Sequence, residues 1–199
     1  MASLIFCLIG YLIGSMSFAV IVSRAFGLPD PHSYGSGNPG ATNVLRTGSK
    51  LAALLTLAGD CGKGWFAVFI AQRFSGDWGV DETGVAGVAI AAFLGHLYPL
   101  FFRFQGGKGV ATAAGILLSL NPWAGLATLG VWVVVAAIFR ISSLAAVVAA
   151  LVAPIGFVWI SGANATAVAV AAMSLLLVWR HRENLRRLIA GEEGRIGQK

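Results

Sequence analysis

GSGNPGATNVLR, Gly35 to Arg46, is the stretch on which the reading of this chain turns. It lies between two apolar runs, ASLIFCLIGYLIGSMSFAVIVS from Ala2 to Ser23 and LAALLTLAGDCGKGWFAVFIA from Leu51 to Ala71. Each run is close to the roughly 20 residues that a bilayer core requires. A polar loop therefore opens at a membrane surface. Gly35, Gly37 and Gly40 permit positive φ and close approach of the backbone to a ligand, and Ser36, Asn38, Thr42 and Asn43 add polar side chains. Successive backbone N–H groups in such a loop suit an anion, with Arg46 as a bidentate clamp. The competing reading is a flexible connector whose Thr42 or Asn43 caps a helix. The loop by itself leaves the two level.

Composition decides the class. The 199 residues have a mean hydropathy of +0.81, with 57% hydrophobic and 11% charged, a balance that a soluble domain of this size does not tolerate on its surface. The chain reads as an all-α polytopic membrane protein, one domain over residues 1–199. Its 26 glycines fit helices that pack closely inside a bilayer. Cys7 and Cys61 lie in apolar segments and suggest neither a metal site nor a disulfide framework. The first run has no basic leader and no clear small-residue cleavage site after it, so it reads as a retained span.

Seven spans are expected, at about Ala2–Ser23, Leu51–Ala71, Val85–Phe102, Val110–Leu120, Pro122–Phe139, Leu144–Ile160 and Asn164–Trp179, the fourth being short. The second carries Asp60 and Lys63, which at i and i+3 share a helical face and are expected to look inward, and the third carries His96. Twelve of the 14 basic residues fall on one side of this arrangement, among them Arg24, Arg46, Lys50, Arg103, Lys108, Arg140 and a tail that ends at Lys199. The opposite side holds Arg73 among Asp77, Asp81 and Glu82. The positive-inside rule then puts the N-terminus outside, the C-terminus in the cytoplasm and every polar motif on the cytoplasmic face.

Two further stretches share that face. In GHLYPLFFRFQGGKGVAT, Gly95 to Thr112, the glycines Gly106, Gly107 and Gly109 flank Lys108 just before the fourth span. Free N–H groups and an ammonium would meet there at a helix N-terminus, a setting for phosphate. It is not a Walker A loop, since Gly109 follows Lys108 and Phe102 replaces the first glycine. The alternatives are a topogenic role for Lys108 and, for His96, an interior histidine satisfied through Asp60 and Lys63. In RHRENLRRLIAGEEGR, Arg180 to Arg195, His181 and Asn184 are three apart and on a continuing helix would project from one face. A basic surface helix drawn to anionic lipid accounts for the arginines but not for this His and Asn. Ser142 and Ser143, after Arg140, are hydroxyls at the same face, or helix caps.

GSGNPGATN at Gly35–Asn43, GGKGVAT at Gly106–Thr112 and HRENLRRLIAGEE at His181–Glu193 together resemble the bacterial membrane acyl-phosphate:glycerol-3-phosphate acyltransferases, the PlsY family, over essentially the whole chain. The resemblance implies transfer of a fatty acyl group from acyl phosphate to the 1-hydroxyl of sn-glycerol 3-phosphate, giving lysophosphatidic acid and phosphate at the entry to phospholipid synthesis. It implies activity-bearing roles for Ser36 and Arg46, a glycerol phosphate loop at Gly106, Gly107, Lys108 and Gly109, an active His181 and Asn184, and a structural Glu193. Asn38, Asn43 and Ser143 join the expected substrate-binding set. Gln105 stands where the family commonly has lysine, and Gly194-Arg195 where asparagine and lysine often close the last motif, so no role carries over to those positions. The expected location is the bacterial inner membrane. The expected partners are acyl phosphate, glycerol 3-phosphate and membrane lipid, with no nucleic acid, no obligatory protein partner, no cofactor and no metal.

The residues suit that chemistry on their own terms. An acyl phosphate is already an activated anhydride, so the remaining tasks are to hold two phosphates, aim a hydroxyl at the carbonyl and stabilise the developing oxyanion. Arg46, Lys108 and the glycine N–H groups suit the first task, and Ser36 and Asn184 the others. The proton acceptor stays open between His181 and the substrate's own phosphate, and an acyl-Ser36 intermediate is less favoured than direct transfer. An anion transporter would place such motifs near the midplane in repeated halves. A structural membrane subunit would not need three polar motifs on one side.

Overall fold

The computed structural model describes residues 1–197, all of its regular structure helical. Lys199, counted above in the basic tail, lies outside the described residues. The helices are α1 (Ala2–Gly14), α2 (Phe18–Ala25), α3 (Ala41–Leu45), α4 (Lys50–Arg73), α5 (Ser75–Trp78), α6 (Glu82–Leu97), α7 (Val110–Leu120), α8 (Pro122–Phe139), α9 (Ser142–Ser161), α10 (Ala165–Arg180) and α11 (Arg182–Ile189), with a 3-10 turn at Leu100–Phe102.

Helix starts follow local chemistry. Asn121 Oδ1 accepts from Trp123 N and Ala124 N (3.0 and 3.2 Å), with Pro122 as the first residue of α8. Asn164 Oδ1 accepts from Ala167 N (2.9 Å) and Asp81 Oδ1 from Gly84 N (2.8 Å), so α10 and α6 have satisfied N-termini.

Among the described residues, five helical stretches are long and apolar enough to cross a membrane: Ala2–Ala25, Lys50–Arg73, Glu82–Phe102, Pro122–Phe139 and Ser142–Ser161. The fourth and seventh expected spans are the shorter apolar helices α7 and α10, of 11 and 16 residues. At about 1.5 Å per residue neither reaches a bilayer core about 30 Å thick unaided.

Helix α6 sits at the centre against α1, α4 and α10, while α7 lies between α4 and α8, and α9 joins α8 to α10. The core around Phe93, Val88, Ile116 and Phe157 is fully buried. Small residues set the closest approaches. A Cβ on Gly14 would collide with the Ala92 carbonyl, one on Gly95 with the Tyr11 carbonyl, and one on Gly115 with the Cys61 carbonyl. Phe66, Val133, Ile138, Ile155 and Leu175 point outward, as lipid-facing side chains do.

The first expected span is not one helix. It breaks at Ser15–Ser17 between α1 and α2, and Lys63 Nζ from α4 donates to the freed Met16 carbonyl (2.6 Å) and to Asp60 Oδ1 (2.7 Å). Broken backbone is tolerated at membrane depth only where protein satisfies it, and here a buried ammonium does so. The same pair reaches His96, whose Nδ1 lies 3.6 Å from Asp60 Oδ1 and 3.0 Å from Thr112 Oγ1.

Candidate active site

The loops after α2, α6 and α8 and the segment after α10 gather at one end of the bundle. Gly35 lies in the left-handed region (φ 59°), and a Cβ there would collide with Asn43 Oδ1 and sit 3.0 Å from an Arg46 guanidinium nitrogen. Only glycine lets the chain turn this tightly over those two side chains. Asn43 is buried and shapes the loop from within. Its Oδ1 accepts from Ser36 N (3.1 Å), and its Nδ2 donates to the carbonyls of Pro31 (2.8 Å) and Tyr34 (3.1 Å). Asn43 is thus a scaffold residue in this structure, its amide committed to backbone rather than open to a ligand. Asn38 is half-buried over Gly40, whereas Ser36 and Arg46 are exposed on the outer rim.

Arg103 and Phe104, two consecutive non-glycine residues at positive φ (52° and 60°), reverse the chain into the second loop. Its glycines are demanded by packing. A Cβ on Gly106 would strike the His96 and Leu97 carbonyls, one on Gly107 the His96 ring, and one on Gly109 (φ 86°) the Phe93 ring. The peptide groups are partly engaged as well. Gly107 N donates to the His96 carbonyl (3.2 Å), while Arg180 donates from one nitrogen to the carbonyls of Gly106 (2.9 Å) and Gly107 (3.0 Å). The Gly107 N–H is therefore not among the free donors expected of a phosphate cradle.

Lys108 leaves this loop toward the third motif, and its ammonium donates to Asn184 Oδ1. Asn184 is buried, and its Nδ2 donates to Glu193 Oε1 (2.6 Å). Glu193 also accepts from Ser143 Oγ (2.6 Å) and, on its other oxygen, from Arg187 Nε (2.8 Å). One carboxylate therefore ties α9, α11 and the tail together. Burial alone would raise the Glu193 pKa, but the hydrogen bonds from Ser143, Asn184 and Arg187 outweigh it and hold the carboxyl below its ordinary range. Burial, reinforced by Arg187, Arg180 and Arg46 against the opposing pull of Glu193, lowers Lys108 to about 8.

His181 does not lie within a continuous helix: it caps α10 and precedes α11, so the expected run through the third motif bends at this residue. Its ring stays buried, with Nδ1 2.8 Å from the Leu177 carbonyl. A carbonyl only accepts, so Nδ1 carries the proton and Nε2 the lone pair. Burial, with Lys108 nearby and the Leu177 bond opposing, pushes its pKa down to about 4.

The structure joins Lys108, Asn184, Ser143 and Glu193 in one hydrogen-bonded chain, places His181 at the adjoining helix end, and sets Arg46 3.8 Å from the side-chain position of Gly194. Ser36 makes no side-chain hydrogen bond to this chain; it stands on the neighbouring loop, bound through its backbone to Asn43. Two residues went unsingled in the sequence, Arg180 and Arg187, which were counted only as basic charge. For Arg187, its spacing of three after Asn184 on α11 is the helical signal that would have found it, whereas Arg180 lies across the break at His181 and had none.

Fold and site together define an integral-membrane helical protein with a cationic cluster of ammonium, guanidinium, amide and hydroxyl groups at one end of its bundle. The family model of glycerol-3-phosphate acyltransferase matches residues 4–191. Glycerol-3-phosphate acyltransferase of Cupriavidus pinatubonensis is 61% identical over 199 residues, covering 100% of this chain and 98% of the relative. That of Ralstonia pickettii is 62% identical over 198 residues, covering 100% and 96%. A crystal structure of PlsY, an integral membrane glycerol 3-phosphate acyltransferase in its glycerol 3-phosphate form, superposes with a TM-score of 0.91 at 34% identity over 99% of this chain and 96% of that one. Its lysophosphatidic acid form gives 0.89 at 33% over the same shares. The chain belongs to the glycerol-3-phosphate acyltransferase family, as an integral-membrane protein of the PlsY kind.

Proposed function

We propose that this protein transfers a fatty acyl group from acyl phosphate to the 1-hydroxyl of sn-glycerol 3-phosphate, releasing 1-acyl-glycerol 3-phosphate and phosphate. The observation that carries this reading is the chain from Lys108 through Asn184 to Glu193 and Ser143, set beside the loop that presents Ser36 and Arg46. Lys108 and Arg46 supply two cations for two phosphates. Asn184 and Ser143, oriented by Glu193, offer neutral polar groups beside them, and Ser36 is the exposed hydroxyl of the first loop.

The acceptor hydroxyl attacks the acyl carbonyl, the carbon–oxygen bond to phosphate breaks, and phosphate leaves. A histidine whose pKa lies near 4 is a weak proton acceptor at neutral pH, which favours a phosphate oxygen as the base and His181 Nε2 as a hydrogen-bonding group. Direct transfer then needs no acyl-Ser36 intermediate. The lysophosphatidic acid form of the PlsY relative supports the proposed product.

The proposed orientation places this end of the bundle, with the C-terminus, in the cytoplasm and the N-terminus outside, in the inner membrane of a bacterium. Helices α7 and α10 complete seven transmembrane segments in one domain. The charge asymmetry of the loops supports this arrangement.

Steady-state kinetics with both substrates varied test the reading. Lys108→Ala is expected to raise KM for glycerol 3-phosphate by roughly 10 to 100-fold, the loss of a charge-assisted bond. Ser36→Ala is expected to lower kcat instead. Labelled glycerol 3-phosphate offered with acyl phosphate, acyl-CoA or acyl-carrier protein tests the donor. Turnover with a thioester and none with acyl phosphate rejects the proposed reaction.

A further inference from the structure

We propose that His96 is a positioning residue for the glycerol phosphate site, setting Lys108 through Gly107. The assignment rests on the reading that Lys108 holds the acceptor's phosphate. His96 lies in the last turn of α6, is 7% exposed, and meets the second loop twice. Its carbonyl accepts the Gly107 N–H (3.2 Å), and its ring edge lies where a Gly107 side chain would be.

The hydrogen bonds fix which edge that is. Thr112 Oγ1 donates its single proton to the Asp60 carbonyl (3.0 Å), so toward His96 Nδ1 (3.0 Å) it acts as acceptor and Nδ1 carries the hydrogen. Nε2 and Cε1 then face Gly107: a Cβ there would collide with Nε2 and stand 3.1 Å from Cε1 and 3.0 Å from the Pro39 carbonyl. Gly107 therefore fills a gap whose walls are the imidazole of α6 and the backbone of the Gly35–Arg46 loop. Arg180 holds the Gly106 and Gly107 carbonyls, leaving Lys108 as the next residue along a pinned turn.

The ring is itself anchored by Asp60 and Thr112, and Asp60 by Lys63, which holds the Met16 break. The imidazole is thus the wall on which the Gly107 turn rests. Its removal should let the Gly107 turn sink and carry Lys108 away from the acceptor's phosphate without touching the donor's contacts.

The test is full kinetics on His96→Ala, Lys108→Ala, their double variant and Thr112→Val in the purified, full-length enzyme. His96→Ala is expected to raise KM for glycerol 3-phosphate about tenfold while KM for acyl phosphate stays within about twofold, and to add nothing further in the Lys108→Ala background. Thr112→Val, which removes the acceptor of the ring N–H together with the hydroxyl's bond to the Asp60 carbonyl, should move the same KM in the same direction by about threefold. A merely structural histidine would lower the melting temperature and kcat, raise both KM values together, and combine multiplicatively with Lys108→Ala. Any of these patterns overturns the proposal. An unchanged KM in Lys108→Ala overturns the reading of Lys108 and this one with it. A raised KM there, beside an unchanged KM in His96→Ala, overturns this one alone. Should His96→Ala yield no folded enzyme, Thr112→Val decides, and an unchanged KM for glycerol 3-phosphate in that variant rejects the role.

Discussion

Lys108 carries a charge that its surroundings work against. Burial and three arginines bring it to about 8, so the free enzyme should lose the ammonium just above neutrality. Loss of that cation weakens phosphate binding, and kcat/KM for glycerol 3-phosphate is expected to hold up to about pH 8 and fall above it. Lys108→Arg, whose guanidinium stays charged, should flatten that alkaline limb even if its level is lower. A pH–rate profile of both enzymes checks this. His181 lies on the other side of neutrality, uncharged at working pH and aimed by the Leu177 carbonyl. His181→Gln is accordingly expected to retain measurable turnover while His181→Ala loses far more; equal collapse of the two with glycerol 3-phosphate binding intact would assign His181 to proton transfer. Glu193 couples the site to stability. Its folded pKa lies below its ordinary value of 4.5, so its stabilising contribution is fully present above that value and is lost as pH falls through the folded one. Glu193→Gln should reduce the acid sensitivity of the melting temperature in that window.

At the scale of elements, the breaks between helices were the least legible features. The run from Ala2 to Ser23 is apolar enough to read as one span, and the interruption by Gly14, Ser15 and Ser17 that marks the turn is too small to lower its hydropathy. The turn depends on Lys63, 47 residues later, for its Met16 carbonyl. The bend at His181 is likewise hidden, since Arg180–Ile189 has no proline or glycine to interrupt it. Asp60 and Lys63 were visible as an inward pair because i and i+3 spacing and membrane depth constrain them, with His96 as the histidine they satisfy, but the Met16 carbonyl between α1 and α2 and Thr112 on α7 were not. The dependence of the α1–α2 break on this pair is testable. Lys63→Ala leaves a buried carboxylate and a freed carbonyl without a donor, and is expected to destabilise by about 3 to 5 kcal/mol. Asp60→Asn with Lys63→Met should cost less than Lys63→Ala alone, because no uncompensated charge remains. Thermal unfolding in detergent measures both.

For the molecule as a whole, orientation is the claim with the widest consequences. If the basic loops lie in the cytoplasm, a cysteine at Gly194, in a background lacking Cys7 and Cys61, should resist an impermeant thiol reagent in intact cells. One at Asp81, the N-cap of α6 at the opposite end, should label. The reverse pattern would invert the topology and place the acceptor site outside the supply of a cytoplasmic phosphate ester.

The sequence by itself determined that this is a helical membrane protein, because composition and run length are properties of the chain rather than of its packing. It also marked three loops as candidates for a site, since glycine, serine, asparagine and arginine at a membrane surface carry their chemistry locally. Motif resemblance extended this to Ser36, Arg46, Lys108, His181, Asn184 and Glu193. Tertiary structure alone decided how those groups are held. The glycines of the second loop read as phosphate donors, yet Gly107 gives its N–H to His96, and close packing against His96, Leu97 and Phe93 demands all three. Asn43 read as a ligand and serves as the internal brace of its loop, while Arg180 and Arg187 read as surface charge and serve as clamps. The physical reason is common to these cases. A polar side chain has the same donors and acceptors wherever it falls, and only the contacts made on folding, from Arg187 with nearby Glu193 to Lys108 with distant Asn184 and Arg180 with distant Gly106, decide which of them the fold consumes.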